Sequence, residues 1–336
     1  MIKNFLAINS IDDVKTNKIA VIAFQSIAVI ALGLIGFYSV GLLNLALGLF
    51  SSVAGIFFIT PFVAGFHLNK STMELLSKDQ DDVKENDQDK TLILEKYQAL
   101  LEEEKKLFPL KNFSQPSLYF DRSDQINAYA ISYINPYASI QSYITGKKSP
   151  YFVEAIVVNK RLLDELKKKK ESGNRSGLSG ILAHELGHIR NKDSFLRYLP
   201  AMIDGFFNLV EFALDHKMTK QNQQQKMKSK SKDDQQQDNS KNYVVKKLAL
   251  TVLKPIFNTL VNLFVSRTCE YLADDYAVQL NQGDSLVAGL NAISPNEKTD
   301  STLKSLMVLF STHPPTDQRI KIINNSLSQK TDAIRI

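Results

Sequence analysis

The run His184-Glu185-Leu186-Gly187-His188 holds two imidazoles four positions apart with a carboxylate beside the first. On a helix, positions i and i+4 are neighbours, so both rings reach one ion from the same face. Glu185 then stands next to the first ring, placed to take a proton from a water activated at the metal. Leu178, Ile181, Leu182 and Leu186 give the segment an apolar helical face, as a buried active-site helix needs. The plain alternative is a structural helix whose two histidines only make hydrogen bonds.

A hydrolytic zinc ion takes three protein ligands and leaves its fourth position open. For the third ligand the sequence offers His67, His216, His313, Cys269 and several acids. His67 lies at the end of an apolar stretch and His216 opens a polar one, so both are poor candidates. The segment from Ser266 to Asp275 is a better source, because Glu270 and Asp274 share a helical face at i and i+4. One of them can ligate while the other accepts the free N–H of a ligand histidine and fixes its tautomer. Spacing leaves open which does which, and an acidic pair on a helix is more often solvated surface. Cys269 is the single cysteine, which excludes an intramolecular disulfide and an all-cysteine metal cage.

These residues sit in a chain of 336 with a net charge of +6, 44% hydrophobic and 23% charged, which excludes a disordered or low-complexity protein. The charge is unevenly placed. Between Lys18 and Lys70 there is no Asp, Glu, Lys or Arg. A helix needs about 20 residues to cross the bilayer core, so residues 19–69 fit two spans, near 19–37 and 44–66, turning around Tyr38–Asn44. The stretch is too long for a cleavable signal peptide. Lysines flank it on both sides and its turn is neutral, which predicts both ends in the cytoplasm.

Downstream, residues 79–106 read as a charged linker passing into a helix. Short β-like runs follow at Ser117–Asp121, Ile126–Tyr133 and Tyr151–Asn159, with a loop over 135–150. A helix over about 160–171 and a flexible entry over 173–180 lead to the histidine helix. Phe195–Leu214 and Val244–Val265 are long enough to span but carry polar stripes. They read as amphipathic helices or as two further spans. The joining segment, His216–Asn242, is rich in Lys and Gln and reads as disordered. The lysines lack interleaved aromatics, so a nucleic-acid partner is not expected.

Four segments in order, HELGH at 184–188 with Asn191 and Asp193 behind it, SR..EYLAD at 266–274, NAYA at 127–130 and STHPPTDQRI at 311–320, resemble the HtpX-like membrane zinc metallopeptidases, relatives of the CAAX prenyl proteases. With the N-terminal hairpin they cover the chain in the family's order. The resemblance implies one zinc per subunit, ligated by His184, His188 and Glu270, with Glu185 as general base and then acid and Asp274 orienting a ligand histidine. It implies that Asn127, Ala128 and Tyr129 form a strand edge to which an extended substrate adds. It also implies that His313 and Arg319 approach the scissile carbonyl as oxyanion donors; read alone, His313-Pro314-Pro315 is a helix stop. The sequence departs from the pattern at Cys269, where an arginine is common, at Ser132, where a glycine is usual, and in the extra length over 135–150.

The resulting expectation is a mostly α protein with a small mixed β-sheet, a zincin-type catalytic domain attached to a transmembrane hairpin. Its parts are a cytoplasmic segment 1–18, the hairpin 19–69, the first catalytic part 70–194, the helices and Lys/Gln loop 195–266, and the second catalytic part 267–336. The expected activity is zinc-dependent endopeptidase cleavage of proteins or peptides. The role implied is quality control of misfolded membrane proteins at a bacterial inner membrane, with the site facing the cytoplasm. The competing readings are an inactive membrane scaffold that keeps the zinc site, and a prenyl-peptide protease.

Overall fold

The computed structural model describes residues 68, 72–76, 88–111, 113–135, 137–138, 142–143, 151–171, 177–194, 196, separate positions between 207 and 263, 265–293 and 314–334. The expected hairpin lies outside these residues except for Leu68. So do His67, His313, most of the 135–150 loop and residues 172–176. None of the described helices is long and apolar enough to cross a membrane. The chain divides into two compact units. One comprises Met1–Lys18, Ile59–Phe195 and Ser266–Ile336; the other comprises Ile19–Phe58 and Leu196–Val265.

The first unit is mostly helical with a four-stranded mixed sheet. Strands β1 (Met73–Leu76), β2 (Ser117–Asp121), β3 (Ala128–Ile134) and β4 (Phe152–Asn159) lie in the order β1-β2-β4-β3. β4 runs parallel to β2 and antiparallel to β3, while β1 is antiparallel to β2. The β-branched run of β4 takes an inner position, where Ala155 to Asn159 are all buried. β3, although it lies between β2 and β4 in sequence, is an edge strand. The three strands read from sequence form within two residues of their expected bounds. β1 was not foreseen, because four residues directly after a long apolar stretch carry no period to read.

Leu118, Phe120, Ile156 and Val158 point from one face of the sheet into the main core, with Ala128 and Ala130 of β3 packed beside them. Helix α1 (Gln88–Leu107) enters that core through Ile93, Tyr97, Leu100, Leu101 and Glu104, the spacing of a single helical stripe. α2 (Lys160–Glu171) follows β4 directly and contributes Leu162, Leu163 and Leu166. α3 (Leu178–Arg190) carries the two histidines and is buried almost all round, as a central helix must be. Around it pack α4 (residues 265–279) and α5 (Gly283–Ile293), with α6 (Thr316–Ile334) against α5.

α3 and α5 touch backbone to backbone. A Cβ at Gly180 would lie 2.0 Å from the Leu286 nitrogen, and one at Gly177 would lie 2.2 Å from Gly289 Cα. The Ser285 hydroxyl accepts a hydrogen bond from Gly180 N–H at 3.0 Å across the same junction.

In the second unit, residues 215–216 and 218–220 are helical. These residues open the Lys/Gln segment expected to be disordered from His216; the rest of it, from Gln221, lies outside the described residues.

Candidate metal centre

The site begins where α3 meets α4. A Cβ on Gly187 would come within 2.9 Å of the Ala273 backbone. Gly187 lies between the two histidines in sequence and Ala273 lies between Glu270 and Asp274, so this close approach carries both acids up to both rings. His184 Nε2 and His188 Nε2 stand 3.1 Å apart, with the rings nearly perpendicular. Glu270 presents Oε2 at 3.4 Å from His184 Nε2 and Oε1 at 3.7 Å from His188 Nε2. One donor atom from each of these three residues falls within 4.8 Å of the others.

The far side of each ring is held by a carboxylate. Asp274 Oδ1 is 2.9 Å from His184 Nδ1, and Asp193 Oδ2 is 2.7 Å from His188 Nδ1. A carboxylate only accepts, so each Nδ1 is the donor and each Nε2 turns inward. Asp193 reaches His188 because the chain reverses as α3 ends. Asn191 caps the helix and Lys192 takes a left-handed φ of 56°, rare for a side chain of its kind.

Arg319, on the first turn of α6, closes the cluster. Its Nε donates to Asp274 Oδ2 at 2.9 Å and one terminal nitrogen donates to Asp274 Oδ1 at 2.6 Å. The other terminal nitrogen is 3.3 Å from Glu270 Oε2. Pro315 immediately precedes the helix, and its carbonyl accepts from the Arg319 N–H.

Electrostatics follow from this crowding. Burial opposes the charged form of Asp274, but the Arg319 guanidinium overrides it and holds the carboxyl below the usual range. Burial lifts Glu185, partly offset by the neighbouring His188 and His184. Burial and Arg319 press His184 down, yet its bonds to Asp274 and Glu270 outweigh them and raise it to about 9. Two imidazole nitrogens and a carboxylate with a shared inner point, outer nitrogens already committed, form a donor set suited to zinc.

A second buried cluster ties the same helices together. Glu104 of α1 accepts from Arg190 Nε at 2.7 Å and from its terminal nitrogen at 3.0 Å, and it accepts from the Tyr276 hydroxyl of α4. The Arg190 guanidinium also lies 4.5 Å from the centre of the Phe113 ring.

Of the residues singled out from sequence, the structure brings together His184, Glu185, His188, Glu270, Asp274 and Arg319. Asn127 is exposed beside β3; its carbonyl accepts from Asn159 N–H at 3.1 Å. Ala128 and Tyr129 open the edge strand, which lies against α3. Cys269 is a buried free thiol. The part played by Asp193 was missed. An acid five residues past the second histidine was visible, but the left-handed turn that returns it to the ring was not.

The model of peptidase family M48 matches residues 97–326, more than half of the chain. A protease HtpX homolog of Lactobacillus helveticus is 28% identical over 207 residues, covering 56% of this chain and 65% of that protein. One from Pyrococcus furiosus is 30% identical over 172 residues, covering 44% and 53%. The chain thus spans less than two thirds of the length of these relatives. The crystal structure of S. mikatae Ste24p aligns over 90% of this chain and 67% of its own, at 15% identity and a TM-score of 0.41. With a family match that starts in α1, includes the histidine helix and α4, and ends within α6, the chain belongs to peptidase family M48.

Proposed function

We propose that the protein is an integral-membrane zinc endopeptidase. The observation that carries this reading is the convergence of His184 Nε2, His188 Nε2 and the Glu270 carboxylate, with Glu185 on the same helical turn. Zinc held by His184, His188 and Glu270 would supply Lewis acidity and lower the pKa of water at the site.

The side chains do the rest. Glu185, its carboxyl lifted by burial, takes the proton from the attacking water and passes it to the leaving amine nitrogen. Asp274 and Asp193 keep both rings in the tautomer whose Nε2 lone pair faces inward. Arg319 uses two nitrogens to hold Asp274; its third, beside Glu270, and His313 are the donors assigned to the developing oxyanion. Asn127, Ala128 and Tyr129 begin the edge to which an extended substrate adds as a further strand.

The membrane reading rests on the uncharged stretch 19–69, taken as two spans with the catalytic unit on the cytoplasmic side. Misfolded membrane proteins are the substrates that the resemblance to the HtpX-like peptidases suggests. The decisive experiment is cleavage of an unstructured protein by detergent-purified enzyme, before and after metal removal and zinc restoration. Glu185→Gln should lower the rate by about 10²–10⁴-fold, the usual contribution of a general base, while keeping stoichiometric zinc. Equal cleavage by the variant, or cleavage indifferent to zinc, overturns the mechanism.

A further inference from the structure

Glu104 is 2% exposed and takes no part in the mechanism above. It stands on the last turn of α1, and its partners come from the two helices that carry the metal donors. Arg190 of α3 donates to it through Nε and a terminal nitrogen, the paired bonds by which a planar guanidinium fixes a carboxylate in one orientation. The Tyr276 hydroxyl of α4 donates a third bond, to the same oxygen that Arg190 Nε uses. Aromatic rings shield both arms. Phe108 stacks on the Tyr276 ring with centres 6.0 Å apart and planes 15° from parallel, and the Arg190 guanidinium lies over Phe113.

The places of these partners along their helices decide what the cluster does. Arg190 follows His188 by two residues and precedes Asp193 by three, so it pins the end of α3 from which the acid behind the His188 ring departs. Tyr276 follows Asp274 by two residues and Glu270 by six. At the site itself α3 meets α4 through Gly187 and Ala273, and a Cβ on Gly187 would also lie 3.0 Å from Tyr276 Cβ. Small residues let two helices approach closely but offer no knob to stop one sliding along the other. A metal site tolerates only about 0.2 Å of error in each ligand distance. A buried ionic cluster is seldom the most stable way to fill a core, and its best-attested use is to fix register.

We propose that Glu104 is a positioning residue of the metal centre. By gripping Arg190 and Tyr276 together it sets the register of α4 against α3, and so the place of Glu270 opposite His184 and His188. The inference rests on the metal reading above and adds to it a residue outside the donor set.

The test uses full-length, detergent-purified protein. Cobalt(II) is bound in place of zinc, because its visible absorption reports the geometry of its ligands, and zinc affinity is measured by competition with a chelator. Glu104→Gln keeps the shape of the side chain and removes its charge, while Tyr276→Phe removes one hydroxyl and keeps the stacked ring. Ile93→Val, which loses a buried methyl from the same helix, controls for a general loosening of α1. The proposal expects both clamp variants to change the cobalt spectrum. Zinc binding should weaken by about tenfold in Glu104→Gln, the lower end of the range for an outer partner of a metal ligand, and by less in Tyr276→Phe. Ile93→Val should melt earlier yet keep the wild-type spectrum and affinity. Clamp variants that melt earlier with unchanged spectrum and affinity overturn the proposal, because the cluster is then only part of the core. An altered spectrum in Ile93→Val overturns it too, since any loosening of α1 then disturbs the metal. If Glu104→Gln does not fold, the comparison of Tyr276→Phe with Ile93→Val decides alone. Wild-type protein that binds neither cobalt nor zinc stoichiometrically overturns the metal reading and the proposal together.

Discussion

Each inward-facing nitrogen of the histidine pair is steered by an acid behind its ring, and the two acids are secured differently. Both are buried, but Asp274 is clamped by Arg319, while Asp193 is brought to its ring just after the left-handed Lys192. Removing such an outer partner from a zinc-bound histidine lowers metal affinity by about 10–100-fold. Asp193→Ala should therefore weaken zinc binding by that factor, read by competition with a chelator, with the metal-free protein unfolding as before. Unchanged affinity would mean that Asp193 serves only to end the helix. At this scale much was legible in advance. The i, i+4 spacings of His184 with His188 and of Glu270 with Asp274 predict two shared faces. The link between them was not legible, because it depends on Gly187 meeting Ala273 across helices far apart in sequence.

Among the elements, the histidine helix owes its position to glycines rather than to interlocking side chains. Gly180 leaves no room for a methyl group beside Leu286 and Gly177 leaves none beside Gly289. Gly180→Ala should cost about 1–3 kcal/mol, the usual range for overpacking, or more if neither helix can move. Thermal unfolding measures the loss, and zinc affinity should fall with it if α3 shifts against α4. A fully stable variant would show that α5 can retreat. The sequence announces α1 by its stripe of Ile93, Tyr97, Leu100 and Leu101, and announces β4 by its β-branched run. β1 and α5 were left unassigned. β1 is too short to show a period, and α5 carries a glycine, Gly289, within its pattern that makes sense only against Gly177 and Ile181 at the histidine helix.

For the molecule as a whole, the metal-free site couples folding to pH. His184 titrates near 9 when folded, above its ordinary 6.5. A raised value means that the folded state binds the proton more tightly, so this stabilisation is complete below pH 6.5 and is lost as pH rises through 9. Metal-stripped protein should thus unfold at progressively lower temperature from about pH 6.5 to 9. Zinc should reverse the trend, since binding requires the same nitrogen without its proton. Melting curves of both forms across that range decide the matter; parallel curves would show that His184 does not lie beside the acids when the metal is absent.

The order in which the site residues occur along the chain has a consequence in time. His184 and His188 belong to one stretch and Glu270 to another, with residues 196–265 between them in the other compact unit. At ribosomal speeds of about 5–20 residues per second, the roughly 80 positions from His188 to Glu270 take some 4–16 s to synthesise. During that interval the nascent chain has both histidines and Glu185 but not Glu270. Under the function proposed above, cleavage would wait until the intervening unit has been made, which would keep the emerging protein from attacking its own unfinished chain or others nearby.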